Sequence, residues 1–222
     1  MIALSDVACD FGGPPVFAGV SLTLEQGAFT FLTGPSGAGK TTLLRLIHGD
    51  LLPRAGAVRL YDADTRRMQR DHLALTRRRI GFVQQECAFV DHLTVAENVA
   101  LPLAVAGRED TAACDDVLSW VGLGRARDAL PATLSGGERQ RAALARAVVL
   151  APDVILADEP TGNVDWDMSR RMLDLLVDLN KAGKTVLIAT HDLHLIRAAK
   201  SLAAVRVMRL QAGTLSMAEV DL

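Results

Sequence analysis

The sequence predicts an α/β fold whose core of strands and helices is interrupted by an all-helical stretch. Three observations carry this. The run Gly34 to Thr41, GPSGAGKT, sits between an apolar β-prone segment, Phe29-Thr30-Phe31-Leu32, and a segment with helical apolar spacing, Thr42 to Ile47. A second unbroken apolar run, Val154-Ile155-Leu156-Ala157, reads as a parallel strand buried on both faces. From about Thr94 to Leu150, helical patterns follow one another with no strand candidate between them. The expected organisation is one domain, with a core of residues 1–85 and 151–222 and a helical subdomain of residues 86–150.

The elements follow in order. Ile2, Leu4 and Val7 mark a first strand, and Val20 to Glu25 alternates as a half-buried one. Phe11-Gly12-Gly13-Pro14-Pro15 is the loop between them, and the first helix ends near Gly49. Ala57 to Tyr61 and Ile80 to Val83 are short strands flanking a helix from Asp71 to Arg79, whose basic end suits its dipole. Thr94-Val95-Ala96-Glu97 opens a capped helix. Helices are expected at Ala112 to Val121 and Glu138 to Leu150. Met168, Met172, Leu175, Leu176 and Leu179 share one helix face, Thr185 to Ala189 is a strand, and Val205 to Leu215 closes the chain as a hairpin-like edge.

Bulk properties narrow the function. The chain has 222 residues, half of them hydrophobic, and a formal net charge of −2, which gives no argument for a nucleic-acid partner. Cys9, Cys87 and Cys114 are far apart without C-x-x-C spacing and read as small apolar residues. Asp6 breaks the first apolar residues, so no secretory leader is expected, and no apolar run is long enough to span a membrane. A soluble, cytoplasmic protein is expected. His48, His72, His92 and His194 show no metal-ligand spacing and read as surface or helix-end residues.

The chemistry concentrates in three places. GPSGAGKT fits G-x-x-x-x-G-K-[ST] at every fixed position. Its glycines let Gly34, Pro35, Ser36, Gly37, Ala38 and Gly39 curl their N–H groups around one anion, at the positive end of a helix. Lys40 can reach β- and γ-phosphates, Thr41 can ligate Mg²⁺, and Thr42, where the helix runs on, is a further nucleotide-binding candidate. Asp158 and Glu159, at a strand end, can hold the metal and act as general base respectively. Ser135, Gly136 and Gly137 form a second anion nest at a helix start, with Glu138 beside them as a further nucleotide-binding candidate. One nucleotide rarely needs two cradles, which points to a second copy of the chain.

LSGGERQ, about 95 residues after GPSGAGKT and about 20 before LADEPTGNVD, resembles the ATP-binding cassette (ABC) transporter ATPases over nearly the whole chain. The resemblance implies a P-loop NTPase core of the ABC type, with a mixed sheet and an N-terminal antiparallel β portion. It implies a head-to-tail homodimer formed on ATP binding, each ATP between the Lys40 loop of one subunit and Ser135-Gly136-Gly137 of the other. Phe11 matches the aromatic that stacks on adenine, more often Tyr in this family. Gln85 matches the hinge glutamine that senses Mg²⁺ and the attacking water. Here Gln84 and Glu86 stand where Phe and Asp are usual, and register from Ile80-Gly81 favours Gln85 over Gln84. Asp165 matches the aspartate that crosses the interface, and His191 the switch histidine at the γ-phosphate.

The ATPase itself moves nothing, so the resemblance implies docking on an integral membrane protein. The expected groove is roughly Gln85 to Thr94, with Ala88, Phe89 and Val90 as apolar candidates. GPSGAGKTTLL, ARAVV, LADEPTGNVD and ATHD together look like the cell-division branch of the family, whose members pair with an FtsX-like permease subunit. That implies a peripheral place on the cytoplasmic side of the inner membrane. Lipoprotein-release and macrolide-export ATPases share most of these motifs and are the alternative. A nucleotide-gated scaffold that needs only ATP binding is an alternative of another class. A phosphate-loop kinase ranks last, because it has no use for Ser135-Gly136-Gly137.

Overall fold

The computed structural model describes residues 1–162 and 164–218. The chain opens with β1 (Ile2–Cys9), β2 (Phe17–Leu24) and β3 (Phe29–Thr33), followed by α1 (Lys40–His48). Next come β4 (Ala55–Leu60), β5 (Ala63–Asp64), α2 (Arg70–Arg77) and β6 (Ile80–Val83). A helical run follows: α3 (Val95–Val105), α4 (Thr111–Trp120), two short 3-10 turns and α5 (Gly136–Val148). The chain closes with β7 (Val154–Asp158), α6 (Trp166–Lys181), β8 (Thr185–Ala189), α7 (Leu193–Lys200), β9 (Val205–Gln211) and β10 (Thr214–Met217).

Two sheets result. The antiparallel one has the order β2-β1-β4-β5 and the other the order β10-β9-β3-β8-β7-β6. Strands β9 to β6 of the second run parallel, and β10 adds antiparallel to β9. β3, β7 and β8 are buried at every residue, which is why they are mostly apolar rather than alternating, with unbroken runs at Val154–Ala157 and Val186–Ala189. Alternate residues supply opposite faces. Leu32, Leu156 and Leu187 pack with α1 and the antiparallel sheet, while Phe31, Ile155 and Ile188 pack with α5, α6 and α7.

A third cluster joins Val95, Val99, Leu118 and Val121 to Ala142, Ala145 and Val149 of the α5 region. The opposite side of α5, with Ala143, Leu144 and Val148, belongs to the sheet cluster. Gly81 allows this close contact, because a Cβ there would collide with the Ala147 carbonyl oxygen. α5 is therefore common to both bodies.

Several elements differ from the sequence expectation. β9 is interior, paired parallel to β3, and only β10 forms the edge. The hairpin pattern of 205–215 hid this, because periodicity carries no information about the second neighbour. α5 starts two residues before Glu138, its N-cap being Ser135. α7 and the two-residue β5 had no signal of their own.

Candidate functional site

The loop from Gly34 to Gly39 leaves the end of β3 and delivers the chain to α1 at Lys40. Gly34, Gly37 and Gly39 have φ of 153°, 77° and 98°, a region that favours glycine. Two are also sterically required. A Cβ on Gly34 would collide with the Leu210 carbonyl oxygen, and one on Gly39 would lie 2.6 Å from Val16 Cγ1. The loop bounds a cleft of about 1110 Å³, lined also by Gln85, Asp158, Glu159 and His191. Lys40 Nζ is buried beneath it, donating to the Gly34 carbonyl at 3.0 Å and the Pro35 carbonyl at 3.4 Å. Pro35, Ser36, Ala38, Thr41 and Thr42 all line the cleft.

The two acids enter from the end of β7. Glu159 Oε1 lies 2.9 Å from His191 Nδ1 and 3.5 Å from Lys40 Nζ. Its backbone is left-handed, with φ of 45°, held by its N–H donating to the Ala189 carbonyl and by the Gly162 N–H donating to its own carbonyl. Strain of this kind in a cleft accompanies functional positions. A carboxylate that lines the cleft, hydrogen-bonded to an exposed imidazole, can accept a proton from water. Asp158 is buried, and burial pushes its carboxyl above the usual range, partly offset by the Thr41 hydroxyl beside it.

Asp158 Oδ1 has no hydrogen-bond partner, although it is fully buried. Thr41 and Gln85 line the same space, so an unpartnered carboxylate oxygen, a hydroxyl and an amide converge. That donor set is all oxygen and fits Mg²⁺, which binds one or two carboxylates and takes its other ligands from phosphate and water. Among the described residues no group of three His, Cys, Asp or Glu side chains could hold a metal ion.

The remaining candidates lie outside this cleft's lining. Ser135 caps α5: its hydroxyl accepts from the Glu138 N–H, and Glu138 Oε2 accepts from the Ser135 N–H at 2.9 Å and its hydroxyl at 2.7 Å. The Gly136 and Gly137 amides fall in the first turn, which has no intrahelical acceptors. Gly137 is buried against α6, where a Cβ would meet the end of Met168. Asp165 is the N-cap of α6, accepting from the Met168 N–H at 2.9 Å. Phe11 is exposed on the loop after β1. Asn163, within TGNVD, lies outside the described residues.

Sequence reasoning missed seven lining residues, among them Gly162, Asp192 and Leu193 on the turns that carry Glu159 and His191. Val16, Thr161, Thr190 and His194 face the cleft. Val16 was hidden in a proline loop, and Thr190 shows its role only through its hydroxyl, which accepts from the Asp192 N–H and shapes the turn that carries His191. Of the apolar candidates at the expected groove, Ala88 is exposed while Phe89 and Val90 are half-buried. Cys9 and Cys114 are buried, and Cys87 is only partly so.

A family model described as ABC transporter matches residues 17–162. The cell division ATP-binding protein FtsE of Haemophilus influenzae is 42% identical over 202 residues, 89% of this chain and 93% of that protein. The FtsE of Mycobacterium tuberculosis is 40% identical over 220 residues, 97% of this chain and 94% of that protein. Among solved structures, a dimeric, post-hydrolysis state of the ATP-binding cassette MJ0796 bound to ADP and Pi superposes with a TM-score of 0.87 at 32% identity, covering 99% of this chain and 100% of that one. With the phosphate loop, the acid pair and the LSGGERQ helix on this fold, the chain belongs to the ABC transporter family and is one of its ATP-binding ATPases.

Proposed function

We propose that this ATPase works as a head-to-tail dimer and drives a conformational change in a membrane partner during bacterial cell division, as an FtsE-type subunit paired with an FtsX-like permease. The observation that carries the catalytic reading is Glu159 Oε1 beside both His191 Nδ1 and Lys40 Nζ in the lining of the phosphate-loop cleft. Glu159 takes the proton of the attacking water, and His191 and Lys40 attend the γ-phosphate. Thr41, Asp158 and Gln85 would hold Mg²⁺, which when bound would neutralise charge on the phosphates. Phe11 stacks on adenine. Ser135, Gly136, Gly137 and Glu138, with Asp165, complete the site from the second subunit. That they are not among the residues lining the cleft within one chain supports this, since a cradle of amides at a helix start suits an anion brought by a partner.

The core of residues 1–85 and 151–222 binds the nucleotide, and residues 86–150 carry the signature helix and the docking surface. No helix among the described residues is long and apolar enough to cross a membrane. Attachment through the proposed permease partner would hold the protein peripherally at the cytoplasmic face. The FtsE relatives support the cell-division assignment.

The test uses Glu159→Gln. Wild type should release phosphate from Mg-ATP with no acceptor added, and the variant about 10²–10⁴-fold more slowly. The variant should elute as a dimer with Mg-ATP and as a monomer without it. Hydrolysis at the wild-type rate would remove Glu159 from its role. ATP-loaded Glu159→Gln protein should then capture an FtsX-like protein from native membranes; capture of a lipoprotein-release or macrolide-export permease would overturn the cell-division assignment.

A further inference from the structure

The segment after Gln85 leaves the core strand β6 yet is bonded to the helical body. Arg146 of α5 donates from Nη1 to the Ala88 carbonyl at 2.7 Å. Arg139, two turns earlier on the same face, donates from Nη2 to the Cys87 carbonyl at 3.3 Å and from Nη1 to the Pro131 carbonyl at 2.9 Å. Both guanidiniums lie over the Phe89 ring, their Cζ atoms 5.3 Å and 4.9 Å from its centroid. Fully buried Asn98 of α3 finishes the attachment. It accepts from the Val90 N–H and donates to the Val90, Leu93 and Thr94 carbonyls. Only the exposed residues Gln84, Gln85 and Glu86 separate buried Val83, the last residue of β6, from this bonded stretch.

We infer that Arg139 and Arg146, acting on Cys87, Ala88 and the Phe89 ring, are positioning residues for Gln85, so that the helix beginning at Ser135 sets where Gln85 stands relative to Asp158 and Thr41. Arg139 is four residues from Ser135. A tilt of α5 against the six-stranded sheet pulls the 87–89 backbone with it, and the three exposed residues turn that displacement into movement of Gln85. The inference deepens the role proposed for Gln85 and rests on it.

The test is steady-state ATP hydrolysis by the full chain, with kcat and KM separated, for Phe89→Leu in the wild-type and Gln85→Ala backgrounds. Leu keeps apolar volume at the site but removes the ring face. Phe89→Leu should lower kcat about tenfold with ATP KM nearly unchanged, because the Lys40 loop is untouched, and this loss should vanish when Gln85 is already Ala. Phe89→Tyr, which keeps the ring, should restore the rate. Arg146→Lys repeats the cycle should Phe89→Leu fail to melt as a folded protein. An equal loss in both backgrounds, or a loss carried by KM, would overturn the inference. If Gln85→Ala alone runs at the wild-type rate, the role of Gln85 fails first and the coupling falls with it, a result distinct from additive losses.

Discussion

Glu159 bears its carboxylate on a left-handed backbone, which costs a non-glycine residue about 1–2 kcal/mol. Its two backbone hydrogen bonds to Ala189 and Gly162 hold that turn and bring the side chain to His191. The glycines opposite differ from one another in what they require. Gly34 needs both its φ and empty space against the Leu210 carbonyl, whereas a Cβ on Gly37 would meet no heavy atom within 4 Å, so that position needs only its φ of 77°. Gly37→Ala should therefore cost about 1–2 kcal/mol and leave a folded protein. Gly34→Ala adds about 1–3 kcal/mol of overpacking and pushes the loop off β9, so ATP binding should fall far more than for Gly37→Ala. Thermal melts and calorimetric ATP titrations of the two variants check this; equal effects would mean that the Leu210 contact does not hold the loop. The loop was legible in the sequence because its demands are local: glycines, a Lys and a hydroxyl in eight consecutive residues. The strained turn at Glu159 was not, since the hydrogen bonds that impose it come from β8 and from the following turn.

At the scale of an element, α5 decides most. Its first turn is a capping box, and the Ser135 hydroxyl, then the Ser135 N–H, hold the Glu138 carboxyl below the usual carboxylate range. A group with a depressed folded-state value contributes stability that is fully present above its unfolded value, near pH 4.3 for Glu. That contribution is lost as pH falls through the lower folded value. Glu138→Gln, which can still hydrogen-bond but does not titrate, should flatten the acid limb of a stability–pH curve relative to wild type. Denaturant melts between about pH 5 and pH 3 measure it, and superimposable wild-type and variant curves would show that the cap does not titrate with folding. The start of this helix was half legible. Ser135 and Glu138 are a capping pair in sequence, but two glycines of poor helix propensity between them concealed that the helix already runs through Gly136. Nothing local marks the arginines at 139 and 146, because their targets, the carbonyls of 87 and 88, are over 50 residues away in the chain.

For the whole molecule, the helical cluster meets the sheet cluster along α5, with Val117, Trp120 and Leu175 packed against both sides. The strand-free interval from 84 to 153 was legible from periodicity alone, because buried parallel strands bracket it with unbroken apolar runs. The interior position of β9 was not, since pairing to β3 joins residues more than 170 apart. Sharing makes a prediction about where damage travels. Leu118 is fully buried in the cluster of α3, α4 and α5, with no part in the cluster around α1. Leu118→Ala should destabilise the protein by about 2–5 kcal/mol through lost burial and a residual cavity. Leu44, equally buried on α1, belongs to the cluster behind the phosphate loop, and Leu44→Ala should cost a similar amount. Their functional effects should separate. Well below its melting temperature, Leu118→Ala should keep its ATP affinity, because the helix that presents Lys40 packs in the other core, yet lose hydrolysis as α5 loosens. Leu44→Ala should lose affinity directly. Calorimetric ATP titration and phosphate release on both variants make the comparison. If Leu118→Ala weakened ATP binding as much as Leu44→Ala, the α5 junction would transmit disorder into the phosphate loop, and the two cores would behave as one unit.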